Sequence, residues 1–238
     1  MKLKEIELDL PYKKNMENIR LIQKERGISS QDAIRMDYEL NWKNKRNEFR
    51  LMTRCMTSMI ERIMSPINTK DFRKIIIECV DNCEYDKPKN LLGVLVIQTY
   101  FDIKLFYSLD KYGKKKFTID TIIGCLNNDE VNEIFDTALI INACNKIIDN
   151  DYINEWVWKR TVVRDYRWAE LVIFHDINEL NIFIDFYIDN DLLKRSLIVS
   201  TIPDEWNYNK FLGKFEWLSK ESVVLVTKEG EKYIEKFG

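Results

Sequence analysis

The chain has 238 residues, with 37 Lys+Arg against 39 Asp+Glu and a formal net charge of −2. Its 45% hydrophobic and 32% charged residues exclude a disordered chain, and the charge balance excludes a generally basic nucleic-acid coat. The single His excludes multi-His zinc and two-His iron sites, both common phosphate-loop motifs are absent, and no apolar run approaches the ~20 residues of a membrane span.

In chain order, residues 4–10 alternate, with Ile6, Leu8 and Leu10 on one side, and predict a short strand closed by Pro11. Residues 15–26 carry Ile19 and Ile22 at helical spacing, with Gly27 as a stop and Ser29 or Ser30 as the next cap. Residues 31–64 predict one long helix, or two with a kink near residues 41–47. Thr69 is placed to cap a helix bearing Phe72, Ile75, Ile76, Cys79, Val80 and Cys83. Residues 91–109 are apolar almost all round and predict a buried helix, with a central strand as the alternative.

Residues 110–116, with Lys114, Lys115 and Lys116, read as a linker or exposed loop. Thr118 then caps a short helix, Asn128 or Asp129 precedes another, and residues 149–151 break the pattern. Residues 152–174 fit either helix or strand. Asp176 and Glu179 form a capping-box-like start for a helix over 177–188, and Thr201, Ile202 and Pro203 begin another. Residues 222–227 predict a strand, and 231–237 a closing helix or second strand. The expected fold is mainly α, a multi-helix bundle with a minor β component at the N-terminus and in the C-terminal third; α+β is the runner-up.

Five Cys (55, 79, 83, 125, 144), an odd count without C-x-x-C, read as reduced, buried thiols, and the first residues offer no secretory signal; a cytoplasmic protein is expected. The richness in Ile, Lys and Asn suggests an AT-rich bacterial or phage origin. The run Asn18-Ile19-Arg20-Leu21-Ile22-Gln23-Lys24-Glu25-Arg26-Gly27-Ile28-Ser29, with Ala33 following, resembles the opening of helix-turn-helix repressor domains over about 16 residues; such a resemblance implies DNA binding through a following recognition helix. That pattern stops at Arg35 to Leu40, which run on without the expected turn. Val223 to Ile234 resembles the last strand and helix of winged-helix domains, although the region is acidic.

Charge is uneven along the chain. Residues 1–119 hold 24 Lys+Arg and 17 Asp+Glu, net +7; residues 120–238 hold 13 and 22, net −9. This predicts a basic helical N-terminal half (1–112) and an acidic, Trp-rich C-terminal half (113–238), as two domains or one continuous domain. Lys43, Arg46, Arg50 and Arg54 share one helix face and form a basic patch, which reads either as a phosphate-binding stripe within residues 43–74 or as a solvated face opposite Phe49, Met52, Met56 and Met59.

Five of the six Trp lie in the second half. Trp156, Trp158, Trp168, Trp206 and Trp217, with Asp204, Glu205 and Glu216 beside them, form a candidate partner-binding set, because Trp is enriched at interface hot spots and acids suit a basic partner. Core packing is the alternative. Asp185, Asp189 and Asp191 are the one candidate metal set, and His175 beside Asp176 the one place for a His-based triad, but no catalytic residue, metal ligand or cofactor is assigned. The expected function is a non-enzymatic interaction protein that binds, and in the inhibitory case blocks, a basic protein partner. An immunity protein, an antitoxin or a phage- or host-defence inhibitor fits this description. Nucleic-acid binding through the basic N-terminal helices and metal-dependent hydrolysis are the alternatives.

Overall fold

The computed structural model describes residues 1–164 and 166–237. It corrects the expected fold class: 38% of the chain is helical and 33% strand, in three sheets of three or four strands, so the fold is α+β and not a helix bundle. The chain divides into two compact units, Met1–Tyr152 and Ile153–Gly238.

The first unit runs β1 (Glu5–Asp9), α1 (Met16–Arg26), α2 (Ser30–Asn41), α3 (Lys43–Ile63), β2 (Lys74–Val80), β3 (Lys89–Leu91), β4 (Val94–Tyr100), α4 (Ile103–Ser108), α5 (Lys111–Leu126), α6 (Asp129–Asn132) and α7 (Ala138–Asp149). Local chemistry places the early elements. Asn15 caps α1, its Oδ1 accepting from the Glu17 and Asn18 amides at 3.1 Å, and Gly27 ends it at φ +62°. Ser29 Oγ accepts from the Asp32 amide at 3.1 Å to cap α2. The helix predicted over 31–64 is two helices, broken at Trp42 (φ −125°, ψ −40°).

The sheet order is β1-β2-β4-β3, with β1, β2 and β4 parallel and β3 antiparallel to β4. Ile6, Leu8, Ile75, Ile77, Leu95 and Ile97 are buried, and the core continues through Phe49 on α3, whose ring meets Phe101 and Phe106 edge-on at 5.3 Å each. On the outer edge of β1 one amide is paired by a side chain: the Ile6 amide donates to Glu61 Oε1 at 2.8 Å, and Arg54 grips that carboxylate at 2.8 and 2.7 Å.

Three expected elements are corrected in this unit. The helix capped by Thr69 is β2, since Thr69 Oγ1 instead donates to the Phe72 carbonyl in the turn before it. The buried helix over 91–109 is β4 followed by the short α4. The loop at 110–116 is the start of α5, where Asp110 Oδ1 accepts from the Gly113 amide at 2.7 Å. The three helices α5 to α7 therefore belong to the first unit with their acids. Residues 1–152 hold 25 Lys+Arg and 24 Asp+Glu, net +1, and residues 153–238 hold 12 and 15, net −3. The contrast of +7 and −9 comes from cutting through α5.

The second unit is β5 (Glu155–Arg164), β6 (Arg167–His175), β7 (Leu180–Ile188), β8 (Asp191–Thr201), α8 (Glu205–Tyr208), a single 3₁₀ turn (Asn209–Phe211), β9 (Lys214–Ser219), β10 (Ser222–Val226) and β11 (Lys232–Lys236). Two antiparallel meanders, β5-β6-β7-β8 and β9-β10-β11, share one core. Leu171, Ile173, Ile182, Ile184 and Phe186 from the first meet Phe215, Val223 and Leu225 from the second, all nearly inaccessible. The helix predicted over 177–188 is β7. Asp176 and Glu179 close the hairpin before it instead of capping a helix, the Asp176 amide donating to the Glu179 carbonyl at 2.8 Å. The winged-helix-like end is the hairpin β10–β11. Among the described residues no helix is long and apolar enough to cross a membrane. Of the cysteines, Cys83 is exposed and the other four are buried; burial pushes the Cys125 and Cys144 thiols up to about 12.

Candidate functional site

The register of β5 to β8 decides what the outer face of this sheet presents. Val157, Val172, Phe183 and Leu197 form one row across all four strands. The next row is Arg160, Glu170, Asp185 and Arg195, and the one beyond it is Val162, Trp168, Tyr187 and Leu192. A charged row thus lies between two apolar rows. The opposite face of the same strands carries the core, so strand alternation puts these side chains on the other face, where Val172, Glu170, Asp185 and Trp168 in the middle are buried and the members on β5 and β8 are more open.

The charged row is internally paired. Arg160 donates from Nε to Glu170 Oε1 at 2.6 Å, and Arg195 forks onto Asp185 at 2.8 and 2.7 Å. Arg195 also reaches Glu155 at 3.0 and 3.1 Å, and these carboxylates, Asp185 first, push its guanidinium up. Asp185 is inaccessible and Glu170 nearly so. The arginines also cover the aromatic side chains, Arg195 lying 5.1 Å from the Phe183 ring and Arg160 4.9 Å from Trp168. Trp168 and Tyr187 stack across the strands, 5.3 Å apart and 10° from parallel. At the sheet edges the apolar rows open to solvent, with Val157, Val162, Leu192 and Leu197 each about half exposed. Both edge strands are bulged twice, β5 at 157/159 and 162/164, and β8 opposite 182/183 and 186/187. Bulges oppose strand-to-strand addition.

The partner-binding set read from the sequence is distributed over this unit. Trp156, Trp158 and Trp217 pack against its core, and Trp217 Nε1 donates to the Thr161 carbonyl at 3.2 Å. Trp168 lies on the outer sheet face. Trp206 stands 90% exposed on α8, which Asp204 caps by accepting from the Trp206 amide at 2.9 Å; Glu205 follows in the first turn. Glu216 pairs with Lys214 at 2.8 Å on β9.

The basic patch lies along α3, but its charges have partners. Lys43 pairs with Glu39 at 2.7 Å, Arg46 with Asp9 at 2.6 and 2.7 Å, and Arg54 with Glu61; Arg50 lies between them. Of the candidate metal acids, Asp185 is held by Arg195, Asp189 sits at φ +48° in the β7–β8 turn, and among the described residues no group of three potential ligands could hold a metal ion. His175 is fully buried at the end of β6, its ring 6.4 Å from that of Tyr208.

No protein-family model, curated protein or solved structure matches this chain. The sheet face is not legible in the sequence because its members come from four strands: β5 and β6 lie where helix and strand fit equally, β7 where helical spacing fits, and most of β8 where the sequence predicts no element. The available signal was the paired alternation of Arg160 with Val162 and of Asp185 with Tyr187.

Proposed function

We propose that the chain is a non-enzymatic interaction protein and that it binds a partner protein through the outer face of β5–β8. One observation carries this reading: two apolar rows with half-exposed ends flank a row of pre-paired Arg and carboxylate groups. Interface centres favour Trp, Tyr and Arg over free Lys or Glu, and a side chain already held by its neighbours loses little freedom on binding. The net charge of −3 on residues 153–238 favours a partner with a basic contact surface. Inhibition of such a partner, as by an immunity protein or antitoxin, falls within this reading. The pairing of Lys43, Arg46 and Arg54 with acids weighs against the nucleic-acid alternative.

The test is affinity capture from the native host with the intact chain and with a Val157→Glu/Leu197→Glu variant, read by quantitative mass spectrometry and crosslink position. The expected result is a basic protein that crosslinks to β5 or β8 and is depleted at least about tenfold by the variant. A captured set unchanged by the variant, or no capture above bare resin, refutes the proposal.

A further inference from the structure

The carboxyl ends of the parallel strands in the first unit form a second candidate site. β1, β2 and β4 run the same way, so Leu10, Asp81 and Phe101, each just past the end of its strand, come to one edge of the sheet. Ligands of open parallel sheets bind at this edge, because the chain leaves each strand there and the loops diverge. Three cavities meet here, of about 580, 200 and 620 Å³, and Lys13 lines all of them.

The central cavity has an apolar floor of Leu10, Cys79, Phe101 and Ile103 and is walled by Trp42. Trp42 is held in place: its Nε1 donates to the Leu10 carbonyl at 3.2 Å, and the Tyr12 ring meets it at a steep angle, 6.1 Å away. Lys45 stands 4.9 Å from its ring centre. The rim is basic. Lys13 is ion-paired with Asp81, and Lys45 lines the same cavity, so two cations share its rim with one acid. The Lys13–Asp81 pair is about half exposed on both sides, so water screens it and it opens at small cost. Next to it, in the cavity of about 580 Å³, buried Asp37 is already saturated: it accepts from Tyr12 at 2.5 Å and Asn41 at 2.8 Å. That carboxylate serves to fix Tyr12, and so the position of Trp42, and is not a free repulsive charge.

We infer that this strand-end cavity binds a small molecule joining a flat ring to a phosphate, with a nucleoside monophosphate as the representative. The ring lies on the apolar bed against Trp42, and the phosphate sits between Lys13 and Lys45. Lysines suit a phosphate as point charges, and an indole face suits a base.

Calorimetric titration of the intact chain with AMP, adenosine and inorganic phosphate tests this. AMP is expected to bind at least about tenfold more tightly than either fragment. Lys45→Glu should weaken AMP at least about tenfold more than it weakens adenosine. Trp42→Leu should weaken AMP and adenosine alike, with a thermal melt confirming that the variant is folded. No AMP binding, AMP no tighter than phosphate, or AMP unaffected by Lys45→Glu would each overturn the inference.

Discussion

Replacing Arg195 by Met isolates the energetics of the charged row. Asp185 is inaccessible, and its carboxylate is held by two Arg195 donors at 2.8 and 2.7 Å. Across the strand its neighbour is Glu170, which Arg160 holds, so the loss of Arg195 leaves two adjacent acids sharing one counter-charge. Breaking a buried pair by removing one partner costs about 3–5 kcal/mol, because the remaining charge has lost its solvation and its counter-charge. The Arg195 side chain is itself 35% exposed, so water reaches part of the vacated space and the lower figure, about 3 kcal/mol, applies. With a urea slope of about 1 kcal/mol/M for a unit of this size, the midpoint falls by about 3 M. Tryptophan emission is a suitable assay, since five of the six Trp lie in residues 153–238. The double variant Arg195→Met/Asp185→Leu removes both charges and should recover most of the loss. A single-variant cost below about 1 kcal/mol, or a double variant as unstable as the single, refutes the account of the row as a buried, mutually dependent pair.

Three further outcomes are expected. Gly213→Ala would bring a Cβ to 2.2 Å from the Val226 carbonyl oxygen, a backbone atom that cannot swing aside, so urea denaturation should show a loss of at least about 2 kcal/mol. Leu92 sits at φ +54° in the β3–β4 turn with its side chain fully exposed, so Leu92→Asn should raise the melting temperature through about 0.5–1 kcal/mol of relieved strain. A lower melting temperature would contradict this. Burial alone would raise the Asp37 carboxyl, but hydrogen bonds, led by that from Tyr12, hold it below its ordinary value. A carboxylate lowered on folding contributes stability above its unfolded pKa of about 3.9 and loses it as pH falls through the folded value. Asp37→Asn should therefore be less stable than the parent at neutral pH, with the gap closing below about pH 4. A pH-independent gap would refute this.

Legibility in the sequence followed the range of the interactions. Asn15, Gly27 and Ser29 act within a turn of their own position, and the helices they bound are where the capping pattern put them. β2 was not legible, because Ile75, Ile76 and Ile77 in a central strand make an apolar run that helical spacing fits equally well. In β7 the alternation of Leu180, Ile182, Ile184 and Phe186 was masked by Phe183 and Tyr187, which are apolar because they belong to the outer rows. Residues 110–116 fit a loop by composition, but the Asp110 cap makes the same residues a helix start.

What the sequence by itself determined was the local frame: the caps of α1 and α2, the first strand and the β10 strand. The tertiary structure alone decided where the charge divides, which residues share the outer rows of β5–β8, and that three strand ends converge on Lys13. Caps close over three or four residues and can be read along the chain. A sheet row or a strand-end cavity joins residues tens of positions apart, and their neighbourhood exists only once register and strand order are set.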